Sequence, residues 1–194
     1  MCYDKLASRY DRAIEPFERR FLRSWRQEAL SHLPADSVVP EIGSGTGLNF
    51  PFYPNFKWAI ASEISIKMIE IAKNKTNSIH LIQTDGENLP FADNSFDAAF
   101  ATLVFCSISN PEKAFSELIR ILKPKDRIVL LEHVRPGGLF GYVFDVINKF
   151  TVAWLEDHFN RETAKIAERA GLKVVKIQKK WFGVINLIVC EVVK

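Results

Sequence analysis

The chain of 194 residues is 47% hydrophobic and 25% charged, which suits one globular domain over 1–194 with a full core. Its 26 Lys and Arg against 23 Asp and Glu leave a formal charge of +3, too balanced to argue for a nucleic-acid partner, and none is expected. No apolar run approaches the roughly 20 residues of a membrane span, MCYDKLASRYD lacks a secretory apolar core, and Cys2, Cys106 and Cys190 show neither metal-ligand nor disulfide spacing. A cytoplasmic protein without a metal site is the expectation.

Residues 1–35 form an N-terminal arm, with a helix predicted over roughly 4–32. Phe17, Phe21 and Trp25 recur every four residues and so share a face. Arg19, Arg20, Arg23 and Arg26 interleave on its flanks, the pattern of a helix on an anionic membrane surface. The other reading is an arm whose aromatic face packs over a ligand site. Short apolar runs then alternate with helical patterns: VVPEI (38–42), KWAIASE (57–63), a helix near 65–74, IHLIQTD (79–85), SFDAAFATL (95–103) and a helix over 111–122. Asn110-Pro111-Glu112 caps that last helix and Lys123-Pro124 stops it. DRIVLLEHV (126–134) follows, then an aromatic insertion at 136–159, a helix over 160–170 begun by Asn160 and stopped by Gly171, and two strands, 172–181 and 183–193. Strand–helix alternation predicts an α/β, doubly wound, mostly parallel seven-stranded sheet, closed by an antiparallel C-terminal hairpin. Pro40 lies inside the first strand, so either a bulge occurs there or pairing on one side begins later.

In such a sheet ligands sit beyond the carboxyl ends of the strands, where EIGSGTG (41–47) follows the first strand. A P-loop needs Lys and then Ser or Thr after its glycines, but Leu48-Asn49 follow here; a G-x-G-x-x-G fingerprint fails because Leu48 takes the third glycine place. The spacing is E-x-G-x-G-x-G, and acids close three successive strands at Glu41, Glu63 and Asp85. This set resembles the class I S-adenosylmethionine-dependent methyltransferases. SEISIKMIEIAK, TDGENLPFADNSFDAAF and NPEKAFSELIRILKPKDRIVLLEHV resemble the segments that follow in that family, and the likeness runs over roughly residues 3–193. It implies S-adenosyl-L-methionine as cofactor and a Rossmann-like fold. It places the methionine part at Glu41, Gly43, Ser44 and Gly45, the ribose at Glu63 with Ile64 and Met68 beside it, and the adenine at Asp85, Gly86 and Glu87. Thr102 is a further cofactor contact, and Tyr10 belongs to an arm closing over the methionine end. The family usually has glycines where this chain reads KPKDR.

The cofactor's sulfonium methyl is already activated, so the chain has mainly to align an acceptor and exclude water. Acceptors enter after the fourth and fifth strands and at the arm. Residues 136–159 are either an acceptor-site lid or a helix covering the sheet. His133 and His158 are candidate catalytic proton acceptors or hydrogen-bonded structural histidines. Cys106 reads as a small buried hydrophobe. The chain resembles the small ubiquinone-type and type 11 methyltransferases; GLNFPFYP and TLVFCSISN together look like the membrane-associated alkyl-thiol enzymes, and GLNFPFYP also resembles the bacterial phosphatidylethanolamine N-methyltransferases. The implied acceptor is a small or lipid-like thiol or amine, with peripheral membrane contact through the arm. A quinone- or phenol-type C- or O-methyltransferase, or a cofactor-binding interaction protein without turnover, remains open.

Overall fold

A computed structural model describes residues 2–135, 158 and 160–194. The expected lid at 136–159 thus lies, His158 apart, outside the described residues. Seven strands form one sheet in the order β3-β2-β1-β4-β5-β7-β6. They are β1 (Val38–Ile42), β2 (Trp58–Glu63), β3 (His80–Gln83), β4 (Phe96–Thr102), β5 (Leu122–His133), β6 (Leu172–Lys180) and β7 (Ile185–Val192). The first five pair in parallel, and β7 runs antiparallel between β5 and β6. The fold is the mostly parallel, Rossmann-like sheet with an antiparallel C-terminal pair.

Both faces of the sheet are buried, which explains the unbroken apolar run of β5. Side chains alternate along a strand, so Ile128 and Leu130 point to one face and Val129 and Leu131 to the other. The first face packs on α4 (Pro111–Ile121) and α5 (Thr163–Arg169) through Phe115, Leu118, Ile166 and Ala167. The second packs on α2 (Arg23–Leu30) through Ala29 and Leu30. Burying each such Leu or Ile contributes on the order of 1.5–3 kcal/mol.

Pro40 causes no bulge. It pairs with β2, while pairing to β4 begins at Glu41. On the unpaired stretch the Val38 N–H donates to Asp97 Oδ2 at 2.8 Å. Three local expectations shift. β3 ends at Gln83, so Asp85 sits in the following turn. β5 begins at Leu122, ahead of Lys123-Pro124, because Leu122 pairs with Phe96 across a register shift. Lys125 takes the left-handed conformation there (φ 68°), at the loop where the family has glycines. The last helix starts at Thr163 after Glu162, and Asn160 lies before it in a turn; Gly171 ends it as expected, at φ 99°. The Asn110 cap stands, accepting the Lys113 N–H at 3.0 Å, and the structure adds a cap at Ser65, which accepts from Met68 to open α3 (Ile66–Lys73).

The arm is helical from Cys2 to Leu30, but not uniformly. α1 (Cys2–Phe17) contains Pro16 and passes into a π turn at Glu18–Leu22 before α2. The π turn inserts one residue, so Glu18 and Arg26 stand as an i,i+7 pair would, nearly two full turns apart on one face. Arg26 is therefore turned inward and is 3% exposed, away from the flanking positions expected beside Arg19, Arg20 and Arg23.

Candidate active site

A cleft opens at the carboxyl ends of β1, β2 and β4. It is walled by the turn after β1 (Gly43 to Thr46), by Glu63 and Ile64, by Asp85 to Glu87, and by Thr102 to Val104 with Ser107 to Ser109. Tyr3, Tyr10 and Arg26 reach it from the arm. Gly43 adopts φ 65°, and a Cβ there would lie 2.5 Å from Val104, so only glycine lets the two loops close together. Gly45 (φ 55°) has nothing within 4 Å of its Cβ position, leaving open space at the cleft wall.

Glu63 is 8% exposed, and its carboxylate organises the turn. It accepts the Gly45 N–H at 2.9 Å and the Ser65 N–H at 2.8 Å, one on each oxygen. The Ile64 backbone N–H bears on the same carboxylate, whose roughly four lone-pair sites still leave room for a further donor. Burial raises its pKa despite those bonds. In the turn after β3, Asp85 Oδ1 accepts the Glu87 N–H at 2.9 Å, and Glu87 Oε1 accepts the Asn110 N–H at 2.8 Å, tying the turn to the start of α4.

Behind the wall lies a buried polar network. Glu41 is 0% exposed and accepts from Asn49 Nδ2 and the Tyr53 hydroxyl. Asn49 Nδ2 also donates to Thr102 Oγ1 at 2.7 Å. Arg26 Nη1 donates to Asn49 Oδ1 at 2.9 Å and to Thr102 Oγ1 at 2.6 Å, while its Nε spans both oxygens of Glu18 at 3.1 Å. Among the described residues its Nη2 has no hydrogen-bond partner. Burial pushes the Glu41 carboxyl up to about 7. Among the described residues Arg26 is the one basic side chain lining a cleft whose acids are Glu63, Asp85 and Glu87.

The arm is fastened over the rim. The Tyr3 hydroxyl meets Ser107 Oγ at 2.8 Å, Asp4 accepts from Ser65 Oγ at 2.6 Å, and Asp11 accepts from Thr46 Oγ1 and Lys75. On the far wall Glu132, 0% exposed at the end of β5, accepts the N–H groups of Val104 and Phe105 at 3.1–3.2 Å. That holds Leu103 in a left-handed conformation (φ 59°) beside the cleft.

Of the residues expected at the cofactor, Tyr10, Gly43, Ser44, Gly45, Glu63, Ile64, Met68, Asp85, Gly86, Glu87 and Thr102 line this one cleft, whereas Glu41 stands behind it. His133 pairs with Ile185 in the sheet, and burial drives its pKa down to about 4. The His158 backbone N–H donates to the Cys106 carbonyl at 2.9 Å, and Cys106 is buried. Neither histidine lines the cleft. The aromatic face of the arm does not cover it either: Phe17, Phe21 and Trp25 stack on one another and on Trp181, while Tyr3, Tyr10 and Arg26 take the rim. Sequence reasoning missed the inward role of Arg26, and Asn49, Tyr53 and the Asp4 clasp, whereas Asp11 belongs with Tyr10 to the arm that the resemblance implied. Asn49 and Tyr53 lie in the run following the glycines, so their proximity to Glu41 was the available signal.

The family profile described as "Methyltransferase domain" matches residues 40–130. The chain is 28% identical over 166 residues to the demethylmenaquinone methyltransferase of Renibacterium salmoninarum, covering 84% of this chain and 69% of that one. It is 32% identical over 148 residues to thiol S-methyltransferase TMT1B of Rattus norvegicus, covering 71% of this chain and 61% of the relative's length. A Thermotoga maritima structure described as an S-adenosylmethionine-dependent methyltransferase, possible histamine N-methyltransferase, superposes with a TM-score of 0.76 at 25% identity, covering 98% of this chain and 97% of that one.

Proposed function

Since this chain belongs to the S-adenosylmethionine-dependent methyltransferases, we propose that it methylates a small thiol or amine carrying an apolar portion. S-adenosylmethionine, when bound, supplies an electrophilic methyl group on a sulfonium. The cleft fits that cofactor in three respects. Among the described residues Ser44 Oγ is buried there without a hydrogen-bond partner, the Gly45 Cβ position is open, and the Glu63 carboxylate retains acceptor capacity beyond its backbone donors. Glu63 would accept the ribose hydroxyls and Asp85 the adenine amino group. Arg26, with Nη2 unused, would hold the methionine carboxylate, and the clasped arm would exclude water.

The acceptor reading is carried by what surrounds the cleft on its β4 side. Leu103, Val104, Ser107 and Ile108 offer apolar surface and a hydroxyl, and the acids of the cleft sit on its other walls. His133, the base a carbon or phenol acceptor would call on, is off the cleft and weakened by burial. A thiol or amine reaches its reactive form by losing a proton to water and needs no such base. The quinol alternative is favoured by one observation, the similarity to demethylmenaquinone methyltransferases.

A turnover screen over alkyl thiols, phosphatidylethanolamine and quinol precursors tests the reading. We expect turnover on a thiol or amine, with a rate that rises toward the acceptor's own pKa. Turnover on quinol precursors alone, abolished in His133→Ala, would overturn it.

A further inference from the structure

We propose that the tip of the β6–β7 hairpin and the arm together form a docking surface for an anionic phospholipid membrane. The connection between the strands is Trp181–Gly183, where Phe182 is 94% exposed and Trp181 is 43% exposed. Both lie in the left-handed region (φ 39° and 56°), where turn chemistry favours glycine or asparagine over bulky aromatics. The exposed rings do not stand alone. Trp181 contacts Phe17 at 5.1 Å, Phe17 contacts Phe21 at 5.3 Å, and Phe21 stacks on Trp25 at 5.5 Å, so two elements far apart in sequence share one aromatic ridge.

The charge around the ridge identifies the occupant. Arg19, Arg20 and Arg23 are exposed on the arm and form no ion pair among the described residues, and Lys179 is exposed on the hairpin. Of the acids on this part of the arm, Glu18 is paired with Arg26 and Glu28 with Lys180 at 2.6 Å, while Glu15 is exposed, so the arginines outnumber the remaining carboxylate. Arg20 lies over the Phe21 ring at 5.0 Å, which holds its positive charge against the ridge, while Arg23 lies over Phe52, a ring outside the ridge, at 5.7 Å. Exposed Phe and Trp at the hairpin tip, with Arg20 against the ridge and Arg19 and Arg23 exposed on the same arm, complement the acyl boundary and the phosphates of an anionic leaflet. Among the described residues no helix is long and apolar enough to cross a membrane, so contact through these residues is peripheral. The inference is independent of the acceptor.

The experiment is co-sedimentation with vesicles of phosphatidylcholine alone and of equal parts phosphatidylcholine and phosphatidylglycerol. The parent chain should pellet with the anionic vesicles, and less so as salt rises. An Arg20→Gln, Arg23→Gln double variant should bind about thirtyfold more weakly, the weight of two arginines at such a surface. Phe182→Ser should weaken binding without changing its salt dependence. Calorimetry with S-adenosylhomocysteine checks that each variant keeps the parent's cofactor site and is folded. Absence of pelleting by the parent, or pelleting that ignores all three substitutions, overturns the proposal. Light scattering supplies the remaining arm: self-association lost in Phe182→Ser, without vesicle binding, would assign the ridge to a second copy of the chain and also overturn it.

Discussion

Glu41 and His133 are buried titratable groups whose pKa values move in opposite directions, each toward the neutral form that burial favours. The Glu41 carboxyl rises from 4.5 to about 7, so the folded state holds a proton that the unfolded state has lost between those values. Its contribution to stability therefore falls as pH rises from about 4.5 to 7 and is level above. His133 drops from 6.5 to about 4, so the unfolded state binds the extra proton and stability rises across that window. The two slopes oppose each other, and a comparison of variants separates them. Glu41→Gln should gain about 2–3 kcal/mol relative to the parent between pH 5 and pH 8 in urea unfolding, and an unchanged difference would refute the assignment. Toward the cofactor, Glu63→Ala should weaken S-adenosylhomocysteine binding by about 1–3 kcal/mol in calorimetry. Arg26→Met should weaken it by about 1.5–3 kcal/mol while leaving methylthioadenosine, which has no carboxylate, bound as in the parent. Equal losses for both ligands would make Arg26 only a support for the wall. At this scale the strand-end acids and glycines were legible because their spacing is local. Arg26 was not, because its inward turn depends on one inserted residue in the helix, and a four-residue repeat is blind to that.

Elements were legible where a cap or a breaker marks them. Asn110-Pro111 and Gly171 bound their helices as read, since each acts through its own backbone geometry. Lys123-Pro124 stops α4 as read, the helix ending at Ile121, but the pairing of Leu122 with Phe96 also starts β5 ahead of that stop. The cost falls on Lys125, held at φ 68°. Glycine there would remove a left-handed penalty of roughly 1–2 kcal/mol and add chain entropy of roughly 0.5–1 kcal/mol to the unfolded state. Lys125→Gly should thus stabilise the protein by up to about 1 kcal/mol, read as a higher urea midpoint with an unchanged slope. A lower midpoint would mean that the Lys125 side chain contributes more than its backbone costs.

For the whole molecule, α/β alternation foretold the sheet, but the arm's two duties emerge only from tertiary placement. One helix offers Tyr3, Tyr10 and Arg26 to the cleft and Phe17, Phe21 and Trp25 to the hairpin tip. The position of β7 has a kinetic corollary. β6 touches the sheet only through β7, whose Ile188 lies opposite both Leu130 of β5 and Ile177 of β6. β6 therefore cannot take its place before β7, and the two can arrive either as a preformed hairpin or one after the other. Relieving the turn tells these routes apart. If the hairpin forms first, Phe182→Gly, freed of its strain at φ 56°, should speed refolding by up to about fivefold and leave unfolding nearly unchanged. If β7 docks first, the same substitution should slow unfolding instead, making the hairpin turn the last part of the sheet to set.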